Sequence, residues 1–254
     1  MTLETLDVSI LGPAFVAGLV VLATHVPLGR EVLSRGIIFI DLAVAQIAAL
    51  GVVVAQLLGW QDHIVATQTA ATLAALAGAA LLHRSERRWP DIQEALIGVA
   101  FVLAATGGIL LLAGDPHGGE RLKELLVGQI LWVGWNHTAI AALLSTALLM
   151  VWFSKRLGRQ PLCFYLVFAL AVTISVQLVG VYLVFASLII PALAIRKLPA
   201  QKALIAGWSI GAAGYGLGLT ASAVWDLPAG PAIVWCLALA AAIGGIPLAY
   251  RKTS

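Results

Sequence analysis

One carboxylate and one amide stand out in this chain, because both fall in a run that otherwise reads as membrane. In LGREVLSRGIIFIDLAVAQIAALG, residues 28–51, Arg30 and Arg35 precede the apolar run and Asp41 and Gln46 lie inside it. A charged side chain within a bilayer costs at least about 2.5 kcal/mol, so Asp41 is expected to face a bundle interior or an aqueous path. The chemistry these groups offer is oxygen coordination of a cation. The competing reading is a carboxylate satisfied by packing and paired with Arg35. Gln46, Gln56 and Gln68 could equally hydrogen-bond helices together.

Other ionisable residues give less. His25 lies beside Pro27 near the inner end of an apolar run and reads as structural. His63, His117 and His137 fall near the opposite surface and His83 in a basic loop. Cys163 and Cys236 are single residues within apolar runs, so neither a disulfide framework nor a CxxC metal site is available. Catalysis is poorly supported. Aspartyl chemistry needs two facing carboxylates, and Asp41 is the only acid expected deep in a span; no serine sits in a glycine-framed elbow near His25.

The elements that must position these groups are membrane helices. Apolar residues make up 61% of the chain and charged residues 11%, roughly half the charge of a soluble domain. Runs of about 20 apolar residues suggest about nine spans, at 9–28, 36–58, 64–82, 95–113, 136–153, 162–179, 181–195, 203–225 and 231–249. The expected fold is therefore all-α: one polytopic membrane bundle of about nine helices over residues 1–254, with no soluble domain. The stretch 162–195 divides at Gly180. Pro191 should kink the following span and free carbonyls that could line a path. Gly207, Gly211, Gly214, Gly216 and Gly218 suggest close helix packing.

Basic residues set the orientation. With the N-terminus outside and the C-terminus in the cytoplasm, only Arg121 and Lys123 of the 15 lysines and arginines fall outside. The sequence pI near 9.1 thus reports topology rather than nucleic-acid binding. No basic residue precedes Arg30, so the start does not read as a signal peptide. The outer segment at about 114–135 carries Trp132 and Trp135 and suits a helix or loop lying at the interface.

Several pieces, in order, carry a resemblance: PLGREVLSRGIIF, ILWVGW at 130–135, SVQLVG at 175–180, VYLVFASLIIPALAIR at 181–196 and SAVWDLPAGPAIV at 222–234. Together the chain resembles the permease family of metal-ion ABC importers, the zinc and manganese uptake type. The resemblance implies a permease in the bacterial inner membrane that pairs with a second copy of itself around a path for a divalent ion. It also implies a cytoplasmic ATPase that does the hydrolysis and an extracytoplasmic protein that delivers the metal. The cargo is then zinc or manganese, with no covalent cofactor. Asp41, Gln46 and Pro191 would line the path, with Asp41 and Gln46 meeting the metal. Arg84, Arg87 and Arg88 in one inner loop, with Lys155, Arg156 and Arg159 in another, would face the ATPase.

Two departures qualify that expectation. The family's second span carries a GDALSHA-like motif with Asp and His at i and i+4. Here Gln46 takes the His position and Asp41 falls one residue early, so the two lie about 140° apart on a straight helix. A π-bulge would restore one face; otherwise the site is altered, and a carboxylate with an amide oxygen suits an ion harder than zinc. Second, the inner loop that docks the ATPase shrinks here to SKRLGRQP, residues 154–161. Both departures motivate a second reading, a binding or scaffold protein descended from such permeases and no longer coupled to ATP.

Overall fold

The computed structural model describes residues 8–60, 63–154 and 160–250. Among them are ten α-helices and no strand: α1 (Val8–Arg35), α2 (Ile40–Leu57), α3 (Ile64–Arg88), α4 (Gln93–Leu112), α5 (Gly118–Val127), α6 (Trp135–Trp152), α7 (Pro161–Val179), α8 (Val181–Ile195), α9 (Ala200–Trp225) and α10 (Ala229–Tyr250). Two single 3₁₀ turns, Pro90–Ile92 and Ile130–Trp132, lead into α4 and α6. Every stretch expected to span is helical over most of its length, although the 36–58 stretch becomes helical only at Ile40, after the Gly36 break. Seven are long and apolar enough to cross a membrane, while Val181–Ile195 and Ala229–Gly244 are shorter apolar helices.

Helix ends differ from the sequence reading where local charge extends them. α1 continues through Pro27 to Arg35, held in its last turn by Arg35 Nε donating to Glu31 at 2.8 Å, one turn back. α3 runs past Leu82 to Arg88, so HRSERR is helical rather than a loop. The 114–135 segment divides into the short helix α5 and the second 3₁₀ turn, with Trp132 strongly exposed.

The division at Gly180 is real, and its cause is local. Gly180 has φ +81° and Gly128, at the end of α5, has φ +71°. The two backbones press together so closely that a Cβ on either would collide with the other's chain. Only glycine meets both demands. α5 is thereby pinned against the start of α8.

Packing elsewhere depends on small residues, as expected where lipid removes the hydrophobic drive between helices. α9 uses its glycines on two sides. Gly207 and Gly211 seat Val26 and Leu22 of α1, while Gly214 and Gly218 bring α10 in at Leu237 and Ile233. Gly216 makes only ordinary contact with Phe15. On α1, Gly18 lies under the ring of Tyr215, and Gly29 meets the carbonyl of Leu188 on α8. α7 and α8 are the most enclosed elements, with Tyr165, Phe168, Leu183 and Leu188 fully buried; α4 and α6 keep most of their surface outward.

Overpacking such a crossing typically costs 1–3 kcal/mol. Gly29→Ala, which drives a methyl into the Leu188 carbonyl, should therefore cost about 1–3 kcal/mol of stability and lower the unfolding midpoint in detergent. Gly98→Ala on α4, where no atom lies within 4 Å of the new methyl, should be neutral or slightly stabilising. Equal midpoints for the two variants would disprove the tight α1–α8 crossing.

Candidate functional site

The link between α1 and α2 places Asp41. Gly36 ends α1 with φ +70°, the Ile40 N–H donates to Ile37 O at 3.3 Å, and α2 begins. Glu94 of α4 holds this link from the side, its Oε1 accepting the Phe39 N–H at 3.2 Å. Asp41 therefore lies in the first turn of α2, nearer the end of the span than its position in the apolar run suggested. A carboxylate there meets the positive end of the helix dipole. Asp41 is 1% exposed, and no side chain pairs with either carboxyl oxygen among the described residues; only the backbone N–H groups of Asp41 itself and Leu42 lie near it.

The pairing with Arg35 does not form. Arg35 binds Glu31, approaches Glu86 at 3.6 Å and lies over the Phe164 ring at 4.3 Å from its centroid. It ties α1, α3 and α7 together at one end of the bundle. Beside it, Ser85 Oγ donates to Gln93 Oε1 at 2.7 Å, and Gln93 Nε2 donates to Leu82 O at 2.9 Å.

α2 is an uninterrupted α-helix, so the π-bulge is absent and the five-residue spacing keeps its angular consequence. Gln46 and Leu42 face a cavity of about 620 Å³ lined by α2, α4, α5, α8 and α10. Asp41 is not part of that lining. The structure therefore does not bring Asp41 and Gln46 together within one chain. Pro191 is buried inside α8, next to Ile190 of the lining. It cannot donate to the carbonyl of Ser187, whose hydroxyl bonds Leu183 O at 2.6 Å and lies 2.8 Å from Tyr215 Oη.

The cavity walls are Phe101, Tyr182, Phe185, Val234, Trp235 and other apolar groups, with Gln46 the polar exception. These residues escaped the sequence reading because an aromatic facing a cavity and one facing lipid look alike in a hydrophobic run. A usable signal was the clustering of Tyr182, Phe185 and Trp235 near the ends of spans flanking Gly180 and Pro231.

His25 is fully buried. Its Nδ1 lies 2.9 Å from Val21 O, which can only accept, so Nδ1 carries the proton. Nε2 is left without a partner among the described residues. His117 lies 3.5 Å from Glu120 at the surface, and His63 and His137 lie at the starts of α3 and α6. No group of three His, Cys, Asp or Glu gathers among the described residues. Of the expected ATPase-facing cations, Arg84, Arg87 and Arg88 are exposed on the last turns of α3; Lys155, Arg156 and Arg159 lie outside the described residues.

Seven helices long and apolar enough to cross a membrane, packed beside a shared cavity, are the build of a multi-pass membrane protein. The chain belongs to the ABC 3 transport family of metal-ion ABC transporter permeases, matching it over residues 7–160 and 157–246. Such permeases are not themselves ATPases, and membership implies a separate ATPase and a substrate-binding protein. Its fold is similar to PsaBC from Streptococcus pneumoniae solved in complex with Fab, at 24% identity and TM-score 0.76, covering 96% of this chain and 95% of that one. It is also similar to a structure described as an inward-facing conformation of a metal-chelate type ABC transporter, at 18% identity and TM-score 0.60, covering 93% and 83%.

A buried polar group without a partner costs about 1–3 kcal/mol by protein mutational measures. Asp41→Leu should therefore raise the detergent unfolding midpoint of the cation-free protein, the reverse of the usual effect of removing a buried acid. A lowered midpoint would show that Asp41 is held by contacts that stabilise the fold.

Proposed function

We propose that this chain is the membrane-spanning subunit of an importer for a divalent transition metal ion, zinc or manganese, and that two copies enclose the path. The observation that carries this reading is Asp41, an acid kept in the bundle interior with no side-chain partner on either oxygen among the described residues. Such a group is retained at a cost to stability when a cation completes it. The direction of Gln46 supports the second copy. Within one chain the amide faces an apolar cavity away from Asp41, and a facing protomer would supply the oxygens that a single α2 cannot.

A carboxylate with amide and water oxygens favours manganese over zinc, which prefers nitrogen and sulfur. An ATPase docks at the cytoplasmic end and a metal-binding protein delivers at the outer face of the bacterial inner membrane. Sidedness follows from the arginine and lysine distribution. One specific observation favours the alternative of a permease-derived scaffold: the short 154–161 segment offers little to an ATPase.

Purification of the tagged chain in mild detergent from its host should yield the ATPase in constant proportion. Asp41→Ala should keep that partner and the protein level while reducing uptake of manganese or zinc at least about tenfold, the loss of one charged ligand interaction. Recovery of the self-associated chain alone, with metal accumulation unchanged on deletion of the gene, would overturn the importer in favour of the scaffold.

A further inference from the structure

The exposed face of α3 carries more than the arginines expected to face an ATPase. Leu73, Ala77, Ala80, Leu81, Arg84 and Arg88 are all exposed and fall within about 100° of one another around the helix. Leu73 is 61% and Leu81 68% exposed. The stripe is therefore apolar along the span and cationic at its end. Arg87 and Trp89 join Arg84 and Arg88 around a groove of about 1030 Å³ that also includes Ala80, Leu81, His83 and Ser85.

Nearby acids leave these arginines unneutralised. Glu86 is engaged by Arg35 at 3.6 Å and His83 at 3.9 Å. Asp91, two residues beyond Trp89, is exposed and forms no ion pair with Arg84, Arg87 or Arg88 among the described residues. Trp89, 54% exposed, has the amphipathic ring that settles at the headgroup level.

We propose that this end of α3 binds an anionic phospholipid, Arg84, Arg87 and Arg88 holding the phosphodiester and the Leu73–Leu81 stripe carrying an acyl chain. Guanidinium forks match phosphate oxygens in pairs, and basic clusters at the cytoplasmic ends of spans attract anionic lipid. The cationic end runs on directly into the apolar stripe, a continuity that a phospholipid's headgroup and acyl chain match and a soluble protein partner does not. α3 contributes no residue to the cavity beside Gln46, so the site is separate from the candidate path. The proposal needs only that α3 spans the membrane and is independent of cargo.

The full-length protein in detergent micelles would be supplied with phosphatidylglycerol, cardiolipin or phosphatidylcholine. Retained lipid would be counted by native mass spectrometry and the unfolding midpoint followed. The wild type should retain anionic lipid over phosphatidylcholine by at least about tenfold and gain midpoint only with it. The R84Q/R87Q/R88Q variant should lose the preference, R84Q and R88Q alone should each lose part of it, and Lys197→Gln should keep it. The single variants decide the matter if the triple variant fails to fold. Retention of the preference by the variants would overturn the proposal. So would stabilisation by inorganic phosphate equal to that by lipid, which assigns the site to free phosphate. Loss of the co-purifying ATPase from the variants with lipid preference intact would assign the surface to a protein contact and overturn it equally.

Discussion

Hydrocarbon accepts no hydrogen bonds, so every interruption of a helix inside the bilayer has to be closed by the protein itself. That constraint shapes the fold at its breaks more than along its spans. The break between α7 and α8 is closed by Gly180 lying on Gly128, and the Gly180 N–H still finds Val176 O at 2.8 Å. The break between α1 and α2 is closed by Gly36 and by the Glu94 carboxylate on the Phe39 N–H. Each break also delivers a residue that matters: one starts α8 at the edge of the cavity, and the other puts Asp41 into a first turn.

The same constraint explains where charge is tolerated. Arg35 is held by two glutamates and an aromatic face at the end of the bundle, where three helices share the cost of its desolvation. Asp41 has no such arrangement. Its compensation is the start of α2, where the backbone N–H groups of Asp41 and Leu42 lie near the carboxyl and carry partial positive charge. Arg35 holds helices together; Asp41 joins no such network. His25 shows a neutral version of the second case, with one ring nitrogen fixed by Val21 O and the other bare.

Much of the fold was legible because span length and charge placement are one-dimensional. The Gly180 division could be read from a run too long for one crossing, and the separation of Asp41 from Gln46 from a spacing of five on a 3.6-residue helix. What could not be read depends on contacts between distant segments. Arg35 stands close to Asp41 in sequence, yet Glu86 and Phe164, far along the chain, draw it away. The cavity escaped because Phe101, Tyr182 and Trp235 differ from lipid-facing residues only in what lies opposite them. α1 and α3 exceeded their expected ends because charged side chains at a helix terminus extend it when they pair across a turn.

α8 brings these strands of argument together. It has 15 residues, roughly 22 Å of helix against a hydrocarbon core of about 30 Å, so its ends have to be met by other protein. Gly180 fixes its start and Pro191 removes a backbone donor near its end. Between them, Ser187 bonds back to Leu183 O and across to Tyr215, whose ring covers Gly18 of α1. The short helix is thus tied laterally to α1 and α9 while one face, Tyr182, Phe185 and Ile190, borders the cavity.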